Sequence, residues 1–374
     1  MRKGAALSGV IVQLPPMLTP LNRRAAIILF TACLFLAACS SNQVGSTPTE
    51  FAITSDLGAT QTLSPTVTAT IAPTETIEPA HMLLVAPDEA SLPQRAELEA
   101  TLKELATTAG LGFEVSPVLT PANLTPGLKL VVVLPPDPGL AGLTEAAPDT
   151  QFLAIGVPGL TPGANLSLIS PGGFPADQMG FLAGYLAAVV TPEWRVGMVG
   201  VSDTEPGVQT RQGFLNGVEF FCGLCQQTYT PFYTYPMYVE LPAAANPTEW
   251  QAAADVLVDK AVRTAFIAPG AGDEALLAYL AGAGVQLIGT SSPPPDAQDQ
   301  WIASITPDII SPLKAIWPEL LAGNGGLSRP ASLTIGDINP ELFSSGRQRL
   351  VEKMVESIAS GVIDTGINQT PVSP

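Results

Sequence analysis

Residues 173–200, with the sequence GFPADQMGFLAGYLAAVVTPEWRVGMVG, determine the predicted fold of this chain. Pro175 and Asp177 are typical of a helix start, where a missing N–H is tolerated and the helix dipole favours a carboxylate. Apolar residues then recur at helical spacing until Pro192, which ends the helix. Residues 195–200 are short, apolar and rich in glycine, which is typical of a buried strand. A helix, a tight turn and a buried strand form an α/β unit.

Two glycines of the predicted helix, Gly180 and Gly184, are four residues apart and therefore lie on one face. This spacing also occurs where membrane helices dimerise, but the segment is too short to span a bilayer. We therefore expect the glycines to allow close packing of the helix on a sheet.

The same stretch resembles the basic membrane protein family of ABC-transporter substrate-binding lipoproteins. The segments that carry the resemblance are DQMGFLAGYLAA (177–188), VGMVG (196–200), QGFLNGV (212–218), AFIAPGAG (265–272) and AGVQLIG (283–289). The resemblance covers residues 174–360. It implies an α/β fold of two doubly wound parallel-sheet lobes, the type I periplasmic-binding-protein architecture, with a ligand cleft between them.

Composition favours a folded, exported protein. Charged residues make up 13% of the 374 residues and hydrophobic residues 46%, so a sizeable core is possible. The net charge is −17, and from Cys39 onward 12 basic and 33 acidic residues give −21. Such a surface repels nucleic acid, and no basic patch suggests otherwise, so nucleic acid is excluded as a partner.

The N-terminal residues have the pattern of a lipoprotein signal peptide. Arg23 and Arg24 precede an apolar run at 25–38, and residues 36–39, Leu-Ala-Ala-Cys, resemble a bacterial lipobox. Cleavage after residue 38 would leave Cys39 acylated and the protein tethered to the extracytoplasmic face of a membrane. An uncleaved anchor helix is the alternative, and it gives the same location. Met17 is a second possible start.

The rest of the chain divides into a tether and two lobes. Residues 39–80 are rich in Thr, Pro and Ser, which is typical of an extended tether. We expect lobe 1 at 81–172, with strands at 81–86, 113–116, 128–134 and 152–156, and a return of the chain to it at 291–330. We expect lobe 2 at 173–290, with a closing segment at 331–374. An aromatic segment at 228–238 is predicted to be extended.

Residues typical of catalysis are scarce. His81 is the only histidine, and the sequence contains no GxSxG elbow, HExxH pair or P-loop. We therefore predict no enzyme activity, no metal and no cofactor. Cys222 and Cys225 have a spacing compatible with redox chemistry or half a zinc site, but an exported compartment favours a small structural disulfide.

Binding is the remaining chemistry. In the resembled family a nucleoside is stacked by aromatic residues and its sugar is held by carboxylates. The candidate ligand-binding residues are Asp88, Phe174, Asp177, Gln178, Phe214, Gly270, Gly272, Thr290 and Ser291. Packing or helix capping is the alternative role of Phe174, Phe214, Asp177 and Gln178. Thr290 and Ser291 stand where the family has an acidic residue, so a small polar or anionic ligand is also compatible.

Two functions are compatible with these features. The first is a lipid-anchored solute-binding protein of an ABC importer, which closes two lobes on a nucleoside-like or other small polar ligand and presents it to a membrane permease. The second is a surface lipoprotein of the same fold with a degenerate cleft, which acts as a sensor or binds proteins.

Overall fold

The computed structural model of this protein describes residues 78–87, 92, 94–191, 193–223 and 226–367. Several predictions fall outside these residues: the signal peptide, Cys39, the tether up to residue 77, Asp88 and Cys225. In the part of the chain that is described, no helix is long and apolar enough to cross a membrane.

Strands and helices alternate along the chain. The elements up to residue 190 are β1 (His81–Val85), α1 (Arg95–Thr108), β2 (Gly112–Ser116), β3 (Leu128–Val133), α2 (Leu140–Ala146), β4 (Gln151–Ile155), β5 (Leu166–Ile169) and α3 (Ala176–Val190). Those that follow are β6 (Val196–Val201), α4 (Glu205–Cys222), β7 (Met237–Leu241), α5 (Pro247–Asp259), β8 (Thr264–Ile267), α6 (Glu274–Gly282), β9 (Gln286–Gly289), β10 (Trp301–Pro307), α7 (Ile310–Leu321), β11 (Ser328–Arg329), β12 (Leu333–Gly336) and α8 (Ser345–Ala359). Short 3₁₀ turns lie at Pro121–Asn123 and Pro295–Gln300.

The strands form two six-stranded sheets within the described residues. The first sheet has the order β11-β5-β4-β3-β1-β2 and is parallel throughout. The second has the order β12-β10-β9-β8-β6-β7 and is parallel except for β12, which runs antiparallel to β10. This is the predicted fold class of two doubly wound α/β lobes.

Each lobe has its own apolar core. Successive residues of β3 alternate between two clusters, with Leu130 and Val132 on one face of the first sheet and Val131 and Val133 on the other. A strand with apolar side chains on both faces is stable only where helices or loops cover both. A separate cluster fills lobe 2, where α3 and β6 are buried almost throughout.

The two glycines of α3 pack against a helix and not against a sheet, which corrects the prediction. A Cβ on Gly180 would lie 2.0 Å from the carbonyl oxygen of Thr210 in α4, and one on Gly184 would lie 2.1 Å from that of Phe214. Gly213 and Gly217 of α4 are equally close to carbonyl oxygens of α3. The backbones of the two helices are therefore in direct contact.

The return of the chain to lobe 1 is shorter than predicted. β10, expected in lobe 1, lies in the second sheet between β9 and β12. Only α7 and β11 return: α7 packs into the lobe 1 core, and β11 pairs with β5. An apolar strand fits the interior of either sheet, so only its pairing partner decides its lobe. The predicted extended segment at 228–238 also becomes a strand only at its end, in β7.

Candidate functional site

The chain crosses between the lobes at the carboxyl edges of both sheets. β5 of the first sheet continues through residues 170–175 into α3, which belongs to the lobe 2 core. β10 of the second sheet continues through residues 308–309 into α7, which belongs to the lobe 1 core. Residues 330–332 then lead back to β12. Each lobe therefore lies at the carboxyl edge of the other's sheet, where open α/β sheets bind ligands.

A pocket of about 200 Å³ lies at this edge of the second sheet, beyond the ends of β8 and β9. Four residues predicted from the sequence line it together: Gly270, Gly272, Thr290 and Ser291. Its other lining residues are Ile267, Ala268, Ala271, Asp273, Glu274, Leu277, Gly289 and Trp301.

The glycine-containing wall of the pocket is a turn from β8 into α6. Gly270 and Gly272 have φ angles of 76° and 72°, which favour glycine over residues with a side chain. Asp273 caps α6, since its Oδ1 accepts a hydrogen bond of 2.9 Å from the backbone N–H of Leu276. That carboxylate occupies the helix N-terminus where an anion would otherwise bind.

The charge of the pocket lining is negative. Among the described residues that line it, Asp273 and Glu274 are the only ionisable ones, and none is basic. An anionic ligand would be repelled by these carboxylates, whereas hydroxyl and amide groups of a ligand would form hydrogen bonds with the lining. The lining therefore favours an uncharged or cationic ligand over the anionic ligand that the sequence also allowed.

The floor of the pocket contains a tryptophan, Trp301, which sequence analysis placed only within the segment 291–330 that was expected to return to lobe 1. A Cβ on Gly289 would lie 2.2 Å from Cη2 of Trp301, so the indole ring lies directly over this glycine. Trp301 is 1% exposed, and its Nε1 donates a 3.1 Å hydrogen bond to Oγ of the buried Ser304. Ser304 Oγ also lies 2.7 Å from the carbonyl oxygen of Ser291 and 2.7 Å from Oδ2 of Asp337. No sequence motif identifies this set, because its members come from three separate segments.

The lobe 1 edge contributes Phe174. Its ring packs against Gly156 at the end of β4, where a Cβ would lie 2.7 Å from the ring. Phe174 is half-buried beside the lobe 1 core, which leaves part of the ring exposed at the carboxyl edge. Gln178, one turn further along α3, is also half-buried. Neither residue lines the lobe 2 pocket.

Two predicted ligand contacts are structural instead. Phe214 is fully buried in the lobe 2 core, where its ring stacks on Phe266 with centroids 6.0 Å apart. Asp177 is 3% exposed, and its Oδ2 accepts a 2.7 Å hydrogen bond from the hydroxyl of Thr365. Asp177 therefore fixes the segment after α8 to the start of α3. Phe214 therefore packs in the core, and Asp177 makes a tertiary hydrogen bond without capping α3.

Other polar groups on the lobe 1 side are engaged in local structure. Arg95 donates hydrogen bonds to the carbonyl oxygens of Pro87 at 3.1 Å and Ala86 at 3.2 Å, just after β1. Asp137 accepts from the backbone N–H groups of Gly139 and Leu140 before α2. A cation and a carboxylate at this edge are thus already paired with backbone groups.

The described residues contain no group of three or more His, Cys, Asp or Glu side chains that could hold a metal ion. The imidazole Nδ1 of His81 lies 3.2 Å from the carbonyl oxygen of Pro79. Burial raises the pKa of Tyr185, a residue of the lobe 2 core that is away from the pocket. Cys222 is disulfide-bonded, whereas Cys225 lies outside the described residues, so the pairing of these two remains a prediction.

Comparison with known proteins identifies the fold. No protein-family model matches the sequence, and no curated protein sequence is similar to it. A solved ABC transporter solute-binding protein from Conexibacter woesei DSM 14684 has a TM-score of 0.59 at 20% identity, covering 76% of this chain and 97% of that one. A second, from Aeropyrum pernix K1, has a TM-score of 0.53 at 16% identity, covering 79% and 94%.

A solved transcriptional activator has the same architecture. A transcriptional activator of the comK gene from Bacillus halodurans has a TM-score of 0.54 at 13% identity, covering 78% of this chain and all of that one. Identities this low establish the fold and leave the ligand open. The chain has the two-lobed α/β fold of periplasmic binding proteins, the fold of ABC-transporter solute-binding proteins.

Proposed function

We propose that this protein is an extracytoplasmic solute-binding protein of an ABC importer. The observation that carries the proposal is the pocket at the end of β8 and β9, which opens where the carboxyl edges of the two sheets are joined by the interlobe crossings. The lining residues belong to lobe 2, so a ligand held there contacts this lobe first, and closure of the lobes would add lobe 1 contacts and enclose it. Such a protein binds and releases its ligand without chemistry, so we propose no enzyme activity.

The proposed ligand is small, polar and without negative charge. Thr290 and Ser291 offer hydroxyl groups at the end of β9, and the charged groups found in the described part of the lining, Asp273 and Glu274, are acidic. The resemblance to the basic membrane protein family supports a nucleoside within this class. Phe174 then remains the candidate for stacking on the base, because Phe214 is buried in the core.

The experiment is a thermal-shift screen of the purified protein against nucleosides, bases, sugars and amino acids. A ligand at about 100 times its dissociation constant adds roughly 2.7 kcal/mol to the free energy of unfolding, which raises the Tm by several degrees. Thr290→Val removes a pocket hydroxyl with little change in shape and should weaken a hit about tenfold. The control is Thr108→Val, at the exposed end of α1, which should leave the affinity unchanged. A panel without a hit contradicts the transport proposal.

We also propose that Cys39 anchors the protein to the membrane. The apolar run at 25–38 after Arg23 and Arg24, and the small residues before Cys39, support it. Fatty acid with a radioactive label should be incorporated into the wild type and not into Cys39→Ser, which lacks the thiol to be acylated. If the wild type takes up no label, the acyl anchor is wrong, and an uncleaved helix becomes the explanation.

A sensor or protein-binding role is the second candidate. The observation that favours it is the loss of two predicted ligand contacts, since Phe214 and Asp177 are both buried in structural roles. The solved transcriptional activator with the same architecture shows that this fold is not confined to transport proteins. A thermal-shift screen in which no compound raises the Tm would favour this role.

A further inference from the structure

One hydroxyl group beneath the pocket has more acceptors than it can serve at once. Ser304 Oγ accepts the indole N–H of Trp301 at 3.1 Å and lies 2.7 Å from both the Ser291 carbonyl oxygen and Asp337 Oδ2. A serine hydroxyl carries a single proton, so only one of these two oxygens receives it at any moment. Ser304 is 1% exposed, whereas Ser291 and Asp337 are exposed residues, so water can reach the oxygen to which the hydroxyl does not donate.

The charged acceptor of this pair is the stronger one. Hydrogen bonds to an ionised carboxylate are roughly twice as strong as those to a neutral group. A hydroxyl that donates to a carboxylate also becomes a better acceptor, because hydrogen bonds in a chain polarise one another. The carboxylate of Asp337 therefore strengthens the bond that holds the Trp301 indole.

Besides Asp337, the Ser304 hydroxyl contacts Trp301 and Ser291, and both of these residues line the pocket. Trp301 forms its floor, and Ser291 forms part of its rim. Asp337 Oδ2 and the Ser291 carbonyl oxygen lie within 2.7 Å of one atom, so the carboxylate is close to the rim without lining the pocket. Asp337 is itself an exposed residue, so its carboxylate lies beside the ligand-facing groups and in contact with solvent.

We propose that Asp337 is a positioning residue of the pocket: through Ser304 it fixes the Trp301 indole at the pocket floor. This inference rests on the proposed function, since it assigns the floor to ligand binding. It was not foreseen from the sequence, which placed Asp337 only within the closing segment.

The position of Asp337 in the chain adds a link to the lobes. Asp337 directly follows β12, the strand that re-enters lobe 2 after the crossing at 330–332. Its φ angle is 46°, so the backbone turns sharply as the strand ends and brings the carboxylate to β10. A shift of this crossing would move Asp337, and with it the floor of the pocket.

The φ angle also determines which variants test the proposal. Asp337→Gly removes the carboxylate and tolerates the left-handed backbone, whereas alanine would add strain. Asp337→Asn keeps an oxygen acceptor and suits the same backbone. Ser304→Ala removes the shared hydroxyl. The matched control is Asp308→Ala. Asp308 lies in the crossing before α7, and its carboxylate caps this helix by accepting a hydrogen bond from the backbone N–H of Ser311.

The measurement is the indole N–H signal of Trp301 in ¹H–¹⁵N correlation spectra of the protein without ligand. The sequence has four tryptophans, and Trp301→Phe identifies the signal. In Asp337→Gly and Ser304→Ala the signal should shift, and exchange of its proton with solvent should accelerate by about tenfold. Asp337→Asn should restore a spectrum close to wild type. Asp308→Ala should lower the Tm and leave the signal in place.

Two results would overturn the inference. The Trp301 signal could be unchanged in Asp337→Gly, or it could move equally in the Asp308→Ala control, which would reveal a general loss of stability. The spectra are recorded without ligand, so they do not depend on the thermal-shift screen. A screen without a hit would contradict the proposed function and leave this measurement unaffected. The two failures are therefore distinguishable.

Discussion

The contact between α3 and α4 makes a quantitative prediction about Gly184→Ala. The new Cβ would lie 2.1 Å from the carbonyl oxygen of Phe214, a separation at which one of the two atoms must move. The obstacle is a backbone atom, so no side-chain rotation relieves it, and the helices must separate.

Two opposing effects set the size of the change. Overpacking of a well-packed core costs about 1–3 kcal/mol, and a backbone obstacle favours the upper end of that range. Alanine in place of glycine in a helix interior regains about 1 kcal/mol of helix propensity. We therefore expect a net loss of about 2 kcal/mol in the free energy of unfolding. For a folded region of this size the corresponding fall in Tm is about 3 °C.

The assay is urea denaturation followed by circular dichroism, with the thermal midpoint as a second measure. Gly346→Ala in α8 is the control, because a Cβ there meets nothing within 4 Å. The control should gain up to about 1 kcal/mol from propensity alone. If Gly184→Ala is as stable as the wild type at an unchanged m-value, the close backbone contact between the helices is refuted.

Further predictions concern the buried contacts around the site. Asp177→Ala leaves the buried hydroxyl of Thr365 without its acceptor, so it should lower the free energy of unfolding by about 1–3 kcal/mol in urea titrations. The same substitution in a Thr365→Val background should cost clearly less, and an equal cost would contradict the pairing. Gly289→Ala should push the Trp301 ring from its place and change the near-ultraviolet circular dichroism, and an unchanged spectrum would argue against the ring lying over this glycine. Cys222 should resist a thiol reagent in the denatured protein until reductant is added, and labelling before reduction would contradict its disulfide.

The sequence was most informative where pattern and local chemistry coincide. The helix predicted from residues 173–200 is α3, and the following strand is β6, because helical spacing and a proline stop are local properties. The grouping of Gly270, Gly272, Thr290 and Ser291 also follows from sequence, since the ends of neighbouring parallel strands meet at one edge.

The sequence was least informative about which face of a helix points where. Phe214 and Asp177 carry the residue types of a ligand site, but the glycine contact between α3 and α4 turns both towards the protein interior. Residue type allows stacking or packing equally, and only the neighbouring helix decides between them.

Periodicity, glycine placement, the lipobox pattern and the family resemblance are enough to predict an exported α/β protein of two lobes and the sheet edge that holds its candidate site. They act within a few residues of one another, so they can be read along the chain. The assignment of β10 to the second sheet and the meeting of Trp301, Ser304 and Asp337 required the tertiary structure. These contacts join segments distant in sequence, and their geometry depends on strand pairing and on the angle at which the chain crosses between lobes.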